Sequence, residues 1–409
     1  MILGLRNLIK NVVGLGSVNV VNLIIPLLLI PILSRSLTAD EYGYIMYVAT
    51  IQIFLTIFMD YSFNITSVKE MIQAKKNKRC QIFAETQVSR FILGVVFLLL
   101  LVVYSVVIEF NPLDVALFVL PFFLGHLLIS PWYFQATNNI TSMAKVVCAS
   151  RLLHMLIVIH FSSSEEIYSI TLYSQAYSYF FAGVCICVIN YRLFYEMFKY
   201  VFLKNGKMEV GKRVWKDLPL FISDFSPNLY TNIPSIMLIS LISPSSYFQY
   251  NLATKFIGVA LMLQTTISRA MYPILCDNNR FRSSVVLLIN CLPATFILIP
   301  LCLYSSEMFT LVTNKDDEGF SSYLSIMSIG LVFATLANFL GQNYLLVKTD
   351  GKHFSKVVTI SCLVSGVVGV WLVKDFEAIG AAMLLTLGRF LYLLGCFYSF
   401  LFYQKRYLA

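Results

Sequence analysis

Seven ionisable residues interrupt otherwise apolar stretches of this chain: Asp60, Arg90, Arg151, Asp224, Lys255, Arg269 and Arg389. An ionisable group inside a bilayer costs about 2.5–3.5 kcal/mol on insertion scales, so it persists where it pairs, lines water or meets a ligand. Asp60 and Arg90 lie about seven residues from the same ends of adjacent predicted spans, roughly 10 Å deep at the helical rise. That depth fits a structural ion pair, and equally a pair that couples to an ion. Arg269 is close enough to a surface to snorkel, and Arg151 sits somewhat deeper. Lys255 and Arg389 are about nine to twelve residues from the nearer end, too deep for both to snorkel, which calls for a wet cavity or a bound anion. Asp224 lies beside Pro219 and Pro227, which can break a helix and free backbone groups to line a cavity. His126 near mid-depth reads as a packing histidine or a proton relay.

The sign of these groups matters. Five are basic and two acidic, and a cavity of that balance draws anionic substrates by focusing the field. Arginine adds a planar fork that suits phosphate oxygens.

Those residues need spans to hold them. Of 409 residues, 58% are hydrophobic and 12% charged, with mean hydropathy +0.77. Soluble domains carry roughly 25% charged residues, so most of this chain has no water to face. Apolar runs of span length recur from end to end. We place them at about 11–34, 42–67, 83–108, 115–135, 144–161, 167–191, 217–242, 246–272, 283–304, 320–346, 356–373 and 378–402. The expectation is an all-α integral membrane protein of about twelve transmembrane helices. The long first apolar run, without a small-residue cleavage site after it, reads as a retained span.

Charge sets the orientation, because cytoplasmic loops carry the excess Lys and Arg. With both termini inside, 22 of the 30 basic residues fall in inner segments, three in outer loops (Arg35, Lys315, Lys374) and five within spans. The net charge of +9 then describes a cytoplasmic face suited to anionic membrane lipids, not a nucleic-acid domain. The nine cysteines are scattered and show no zinc or redox spacing. No nucleotide loop, metal cluster or large outer loop is present, so the chain reads as a transporter with no catalytic residues, no metal and no cofactor.

The longest loop, about 192–216, divides the chain into two halves, 1–205 and 206–409. EYGYIMYVAT at 41–50 is echoed by SYFQYNLAT at 246–254, each opening the second span of its half. Repeats of this kind are common in transporters, with substrate held between them.

Several segments resemble the Wzx O-antigen flippases: Asn22, Pro26 and Pro31 leading into SRSL at 34–37 and EYG at 41–43; MDYSFNITSVKE at 59–70, with Ser62 in place of the usual glycine; PWYFQAT at 131–137; and the stretches 216–238 and 267–275. The resemblance covers essentially the whole chain and implies the MOP exporter superfamily, polysaccharide transport branch. It implies two six-helix lobes around a central cavity, alternating access, and a bacterial inner-membrane location. The implied substrate is an undecaprenyl-pyrophosphate-linked O-antigen repeat unit, moved to the periplasmic leaflet during lipopolysaccharide synthesis. On that basis Lys255, Arg389, Arg269 and Arg151 are expected to meet the pyrophosphate, and Asp60, Arg90 and Asp224 to form an ion pair or couple to H+ or Na+. An O-antigen polymerase and a chain-length regulator are expected partners. Two other exporters compete: one of another lipid-linked saccharide, and a MATE-like multidrug exporter, which should carry more acidic than basic groups in its spans.

Overall fold

A computed structural model of the chain describes residues 21–22, 24–107, 113, 115–137, 139–203, 210–277, 287–288, 290–291, 296, 298–300, 303–345 and 352–407. These residues are almost wholly helical, with no strand among them. Seven of the described helices are long and apolar enough to cross a membrane. Their outer faces confirm the solvent: Leu99, Leu100 and Val103 on one helix are 59–65% exposed, an arrangement that water would penalise and lipid does not. The chain is an all-α membrane protein.

The chain divides into two compact units, residues 1–37 with 47–221, and residues 38–46 with 222–409. The first unit begins with α1 (Ile24–Ser36) and most of α2 (Ala39–Asp60), then α3 (Phe63–Gln73) and α4 (Lys76–Val107). A π-helical turn at Val115–Val119 leads into α5 (Leu120–Ile129), followed by α6 (Pro131–Ala136), α7 (Ile140–His160), α8 (Ile167–Ile189), α9 (Tyr191–Leu203) and α10 (Val210–Phe225). The short α6 pins Trp132, fully buried, among Met71, Phe83 and Phe194. Helices α5 and α8 meet at two glycines: a Cβ on Gly183 would sit 2.7 Å from the Gly125 carbonyl, and one on Gly125 would overlap the Tyr179 backbone. Small residues of this kind let membrane helices close to backbone contact.

The second unit holds α11 (Asn228–Thr231), α12 (Ile233–Ile239), α13 (Pro244–Asp277), α14 (Ser305–Thr313), α15 (Phe320–Asn338) with a π-helical end at Phe339–Leu345, and α16 (Lys352–Tyr407). The start of α2 belongs here too. Thr38 and Glu41 form a capping box, Thr38 N donating to Glu41 Oε2 at 2.9 Å and Glu41 N to Thr38 Oγ1 at 3.2 Å. Gly43, two residues on, lies against the Pro244 backbone with no room for a side chain, and the Tyr42 ring is 4.8 Å from Phe248. The start of the first echoed segment therefore packs against the start of the second. In the loop before α15, Asp317 caps the helix by accepting from Gly319 N and Ser321 N.

Helix α16 contains a 47-residue apolar stretch, about 70 Å of helix and more than twice the hydrocarbon core. Glu377, at φ 50° and ψ −126°, breaks it into an antiparallel hairpin, across which Ser361 Oγ donates to the Leu391 carbonyl at 3.2 Å. That turn falls between the expected spans 356–373 and 378–402. The expected span 217–242 is not one helix. Pro219 stays inside α10, where it removes a single donor, whereas α10 ends at Phe225, ahead of Pro227, which caps α11. The expected spans 11–34 and 283–304 lie largely outside the described residues.

Candidate functional site

Two breaks in the first unit create the site around Arg90. Helix α2 ends at Asp60, and the next two residues, Tyr61 and Ser62, adopt positive φ of 38° and 65°. Ser62 thus occupies the left-handed region that glycine enters without strain. The second break is at Ser130, also left-handed, between α5 and α6. Pro131 has no N–H to give to the Leu127 carbonyl four residues back, so the end of α5 exposes acceptors in a buried place.

Arg90 fills that gap from α4. Its guanidinium is fully buried; Nη1 donates to Gln87 Oε1 at 3.0 Å and to the Leu127 carbonyl at 3.1 Å. Nη2 donates to the His126 carbonyl at 3.1 Å and to Asp60 Oδ1 at 3.0 Å. Gln87 Nε2 also donates to the Leu127 carbonyl at 2.9 Å. His126 Nε2 lies 3.1 Å from Asp60 Oδ1; the carboxylate can only accept, so this nitrogen carries the proton. Asn64 Nδ2 completes the set at 3.3 Å from Asp60 Oδ2. A cation at a helix C-terminus also opposes the dipole. One arginine therefore joins three helices at two breaks.

A second cluster lies where α10 meets α3 and α4. Arg213 Nη2 donates to Glu70 Oε2 at 2.6 Å and to Ser67 Oγ at 3.0 Å, and Nη1 to Glu85 Oε2 at 3.3 Å. Lys216 Nζ reaches Glu70 Oε1 at 3.0 Å, and Thr66 Oγ1 donates to Asp217 Oδ2 at 2.9 Å. The hydrogen bond to Glu70 raises the lysine's pKa above its usual range. These carboxylates fully account for the local positive charge.

The remaining expected residues differ. Arg151 on α7 is buried; its Nη1 donates to Ser178 Oγ at 3.4 Å and its guanidinium lies 4.7 Å over the Tyr179 ring. His154, one turn on, has Nδ1 2.8 Å from Ser174 Oγ. Arg389 on α16 is 7% exposed, and Nη1 donates to the Met327 carbonyl at 3.4 Å, with Tyr230 and Tyr250 nearby. Gly330 makes room for it: a Cβ there would sit 3.2 Å from Nη1. Lys255 on α13 is partly buried and, among the described residues, has no hydrogen-bond or ion-pair partner. Neither arginine has a carboxylate partner among the described residues. The Nε atoms of Arg90 and Arg151 both lack partners, so the Nη contacts carry the distinction. Asp224 is exposed. Arg269 is carried by α13, and its side chain lies outside what is described.

Sequence reasoning passed over much of this. In the sequence Arg213 counts only among the basic residues of the inner loops, Glu70 and Glu85 have no role, and His126 reads as a packing histidine or a proton relay without its Asp60 partner. A buried amide chain was also missed: Asn338 Nδ2 donates to Gln264 Oε1 at 2.7 Å, Gln264 Nε2 to Asn290 Oδ1 at 3.3 Å, and Ser268 Oγ to Asn343 Oδ1 at 2.8 Å. The signal was available as Gln264 and Ser268 one turn apart on an apolar helix. No group of three His, Cys, Asp or Glu among the described residues is placed to hold a metal ion.

Residues 8–279 match the family described as polysaccharide biosynthesis protein. A protein of Escherichia coli strain K12 named "Putative O-antigen transporter" is 25% identical over 388 residues, 92% of each chain. One of the same name from Shigella dysenteriae is 20% identical over 369 residues, 87% of this chain and 90% of that one. Among solved structures, the lipid II flippase MurJ in its inward closed conformation superposes with a TM-score of 0.67 at 12% identity, covering 96% of this chain and 87% of that one. At that identity the likeness speaks for the fold.

Proposed function

The chain belongs to the polysaccharide biosynthesis protein family, and on that premise we propose that it is a flippase for lipid-linked O-antigen repeat units. Its work is to carry an undecaprenyl-pyrophosphate-linked oligosaccharide from the cytoplasmic to the periplasmic leaflet of the inner membrane. A pyrophosphate with several sugars cannot cross hydrocarbon unaided, whereas the polyprenyl tail can remain in lipid. The transport names of the two full-length relatives support this reading.

The observation that carries it is the pair of buried arginines, Arg151 and Arg389, held without a carboxylate among the described residues. An uncompensated buried cation is costly, and a charge-assisted bond to a phosphate oxygen removes that cost. Lys255 has the same character, and Arg269 is included because the family resemblance implies it. A multidrug exporter would carry more acidic than basic groups in its spans, whereas here basic groups outnumber acidic ones and Asp60 is paired with Arg90. The two lobes, residues 1–205 and 206–409, alternate access, with both termini and the 192–216 segment cytoplasmic. Movement of an ion, H+ or Na+, is assigned to Asp60 with Arg90, or to Asp224.

Complementation tests the reading. A strain lacking its own O-antigen flippase regains surface polysaccharide with the wild-type chain. The Lys255→Ala/Arg389→Ala variant, at equal protein level, restores none, and lipid-linked repeat units accumulate in the inner leaflet. Full surface polysaccharide from that variant would remove both residues from substrate handling.

A further inference from the structure

Helices α9 and α10 flank the connector between the halves of the chain, and each has three distinct faces. On α9, Phe194 and Met197 turn inward against Phe83 and Trp132. Tyr191, Tyr195 and Phe198, spaced by four and three residues, form an outward stripe and are 60%, 65% and 55% exposed. Arg192 and Lys199 border that stripe and are also exposed. Helix α10 repeats the plan. Arg213 and Asp217 turn inward to Glu70, Glu85 and Thr66. Trp215 projects outward, 76% exposed, with Lys212 and Lys216 beside it.

Spacing at i, i+4 and i+7 places the α9 aromatics on one line along the helix. Aromatic rings in such a line beside basic residues match the boundary between acyl chains and headgroups, where amphipathic rings settle. The stripe also continues an existing lipid-facing surface. Val188 and Ile189, the last residues of α8, are 66% and 63% exposed, and Asn190 turns the chain directly into Tyr191. The basic residues supply charge complementarity to phosphate-bearing, negatively charged headgroups within a Debye length.

We propose that α9 and α10 form an anionic-lipid docking surface, with Tyr191, Tyr195, Phe198 and Trp215 inserted at headgroup depth and Arg192, Lys199 and Lys212 contacting lipid phosphates. The occupant is the lipid leaflet itself. This surface is separate from the buried arginines and stands whether or not the chain carries O-antigen. Because Arg213 and Asp217 bind α10 to α3 and α4, lipid contact on α10 is tied directly to the helix that follows the Ser62 break.

Tryptophan fluorescence of the full-length chain in bilayers tests the surface. Of the three tryptophans, Trp132 is fully buried, so the Trp371→Phe variant reports chiefly on Trp215. It is reconstituted in phosphatidylcholine vesicles with and without phosphatidylglycerol, and probed with acrylamide from water and with lipids brominated close to the headgroup. With phosphatidylglycerol present, brominated lipid is expected to quench strongly and acrylamide weakly. The Arg192→Gln/Lys199→Gln/Lys212→Gln variant should become severalfold more open to acrylamide, and a Lys199→Arg/Lys212→Arg variant should behave as wild type, which separates lost charge from misfolding. Strong acrylamide quenching in both vesicle types would overturn the proposal and mark the stripe as a surface for another protein. Headgroup-depth quenching that ignores lipid charge would overturn its anionic part.

Discussion

Arg90 and Arg389 are both arginines buried in apolar helices, yet their surroundings are opposites. Arg90 has four acceptors: a carboxylate, two backbone carbonyls at the end of α5, and a side-chain amide. Arg389 has one carbonyl at 3.4 Å and two phenols nearby. The same side chain in the same solvent therefore does different work. Where the protein itself supplies the acceptors, the arginine is part of the fold. Where it does not, the charge is open to a ligand, and that is the role proposed for Arg389.

The largest effect expected from breaking this contrast is at Asp60. Asp60→Asn leaves Arg90 buried without its counter-charge, a change worth about 3–5 kcal/mol. The double variant Asp60→Asn/Arg90→Met removes both charges and should lose less. Thermal unfolding in detergent compares them; equal losses would mean the pair contributes nothing beyond its separate residues. Arg389→Ala should move the other way in stability, at or slightly above wild type, because it removes an uncompensated charge. The loss there appears in substrate affinity, about 1.5–3 kcal/mol for a charge-assisted bond. Arg389→Lys keeps the charge without the fork and should fall between.

Smaller effects sharpen the structural half. Ser62→Gly should raise stability by about 1 kcal/mol, since an L-residue in the left-handed region carries roughly 1–2 kcal/mol of strain. A drop in melting temperature would show that the buried Ser62 side chain is worth more than the strain. Lys216→Gln should change stability by less than about 1 kcal/mol, as its salt bridge is mostly solvent-exposed. Arg213→Gln, at the buried end of the same network, should cost distinctly more in the same melt.

The class of the protein was legible because hydropathy is additive along a chain, so long apolar runs announce spans without reference to tertiary contacts. The matched depths of Asp60 and Arg90 were readable for the same reason, since rise per residue is constant. The breaks were not. Pro219 and Pro227 look alike in sequence, yet Pro219 lies inside α10 whereas Pro227 follows its end and caps α11. Ser130 gives no local sign of left-handed backbone, and at Ser62 the sign was the glycine that usually stands there in the family it resembles. Arg213 was hidden among connector lysines because its partners Glu70 and Glu85 lie over a hundred residues away in sequence. The seven intramembrane charges were found by type, but neutralisation depends on three-dimensional partners, and that separated Arg90 from Arg389.

The central claim is that Arg389 and Lys255 hold a lipid-linked pyrophosphate. Its most direct test is the affinity of undecaprenyl pyrophosphate for the purified full-length chain in lipid nanodiscs. Wild type should bind, Arg389→Ala and Lys255→Ala should each lose about tenfold or more, and Lys216→Gln should bind as wild type. Equal affinity across wild type, Arg389→Ala and Lys255→Ala would contradict it.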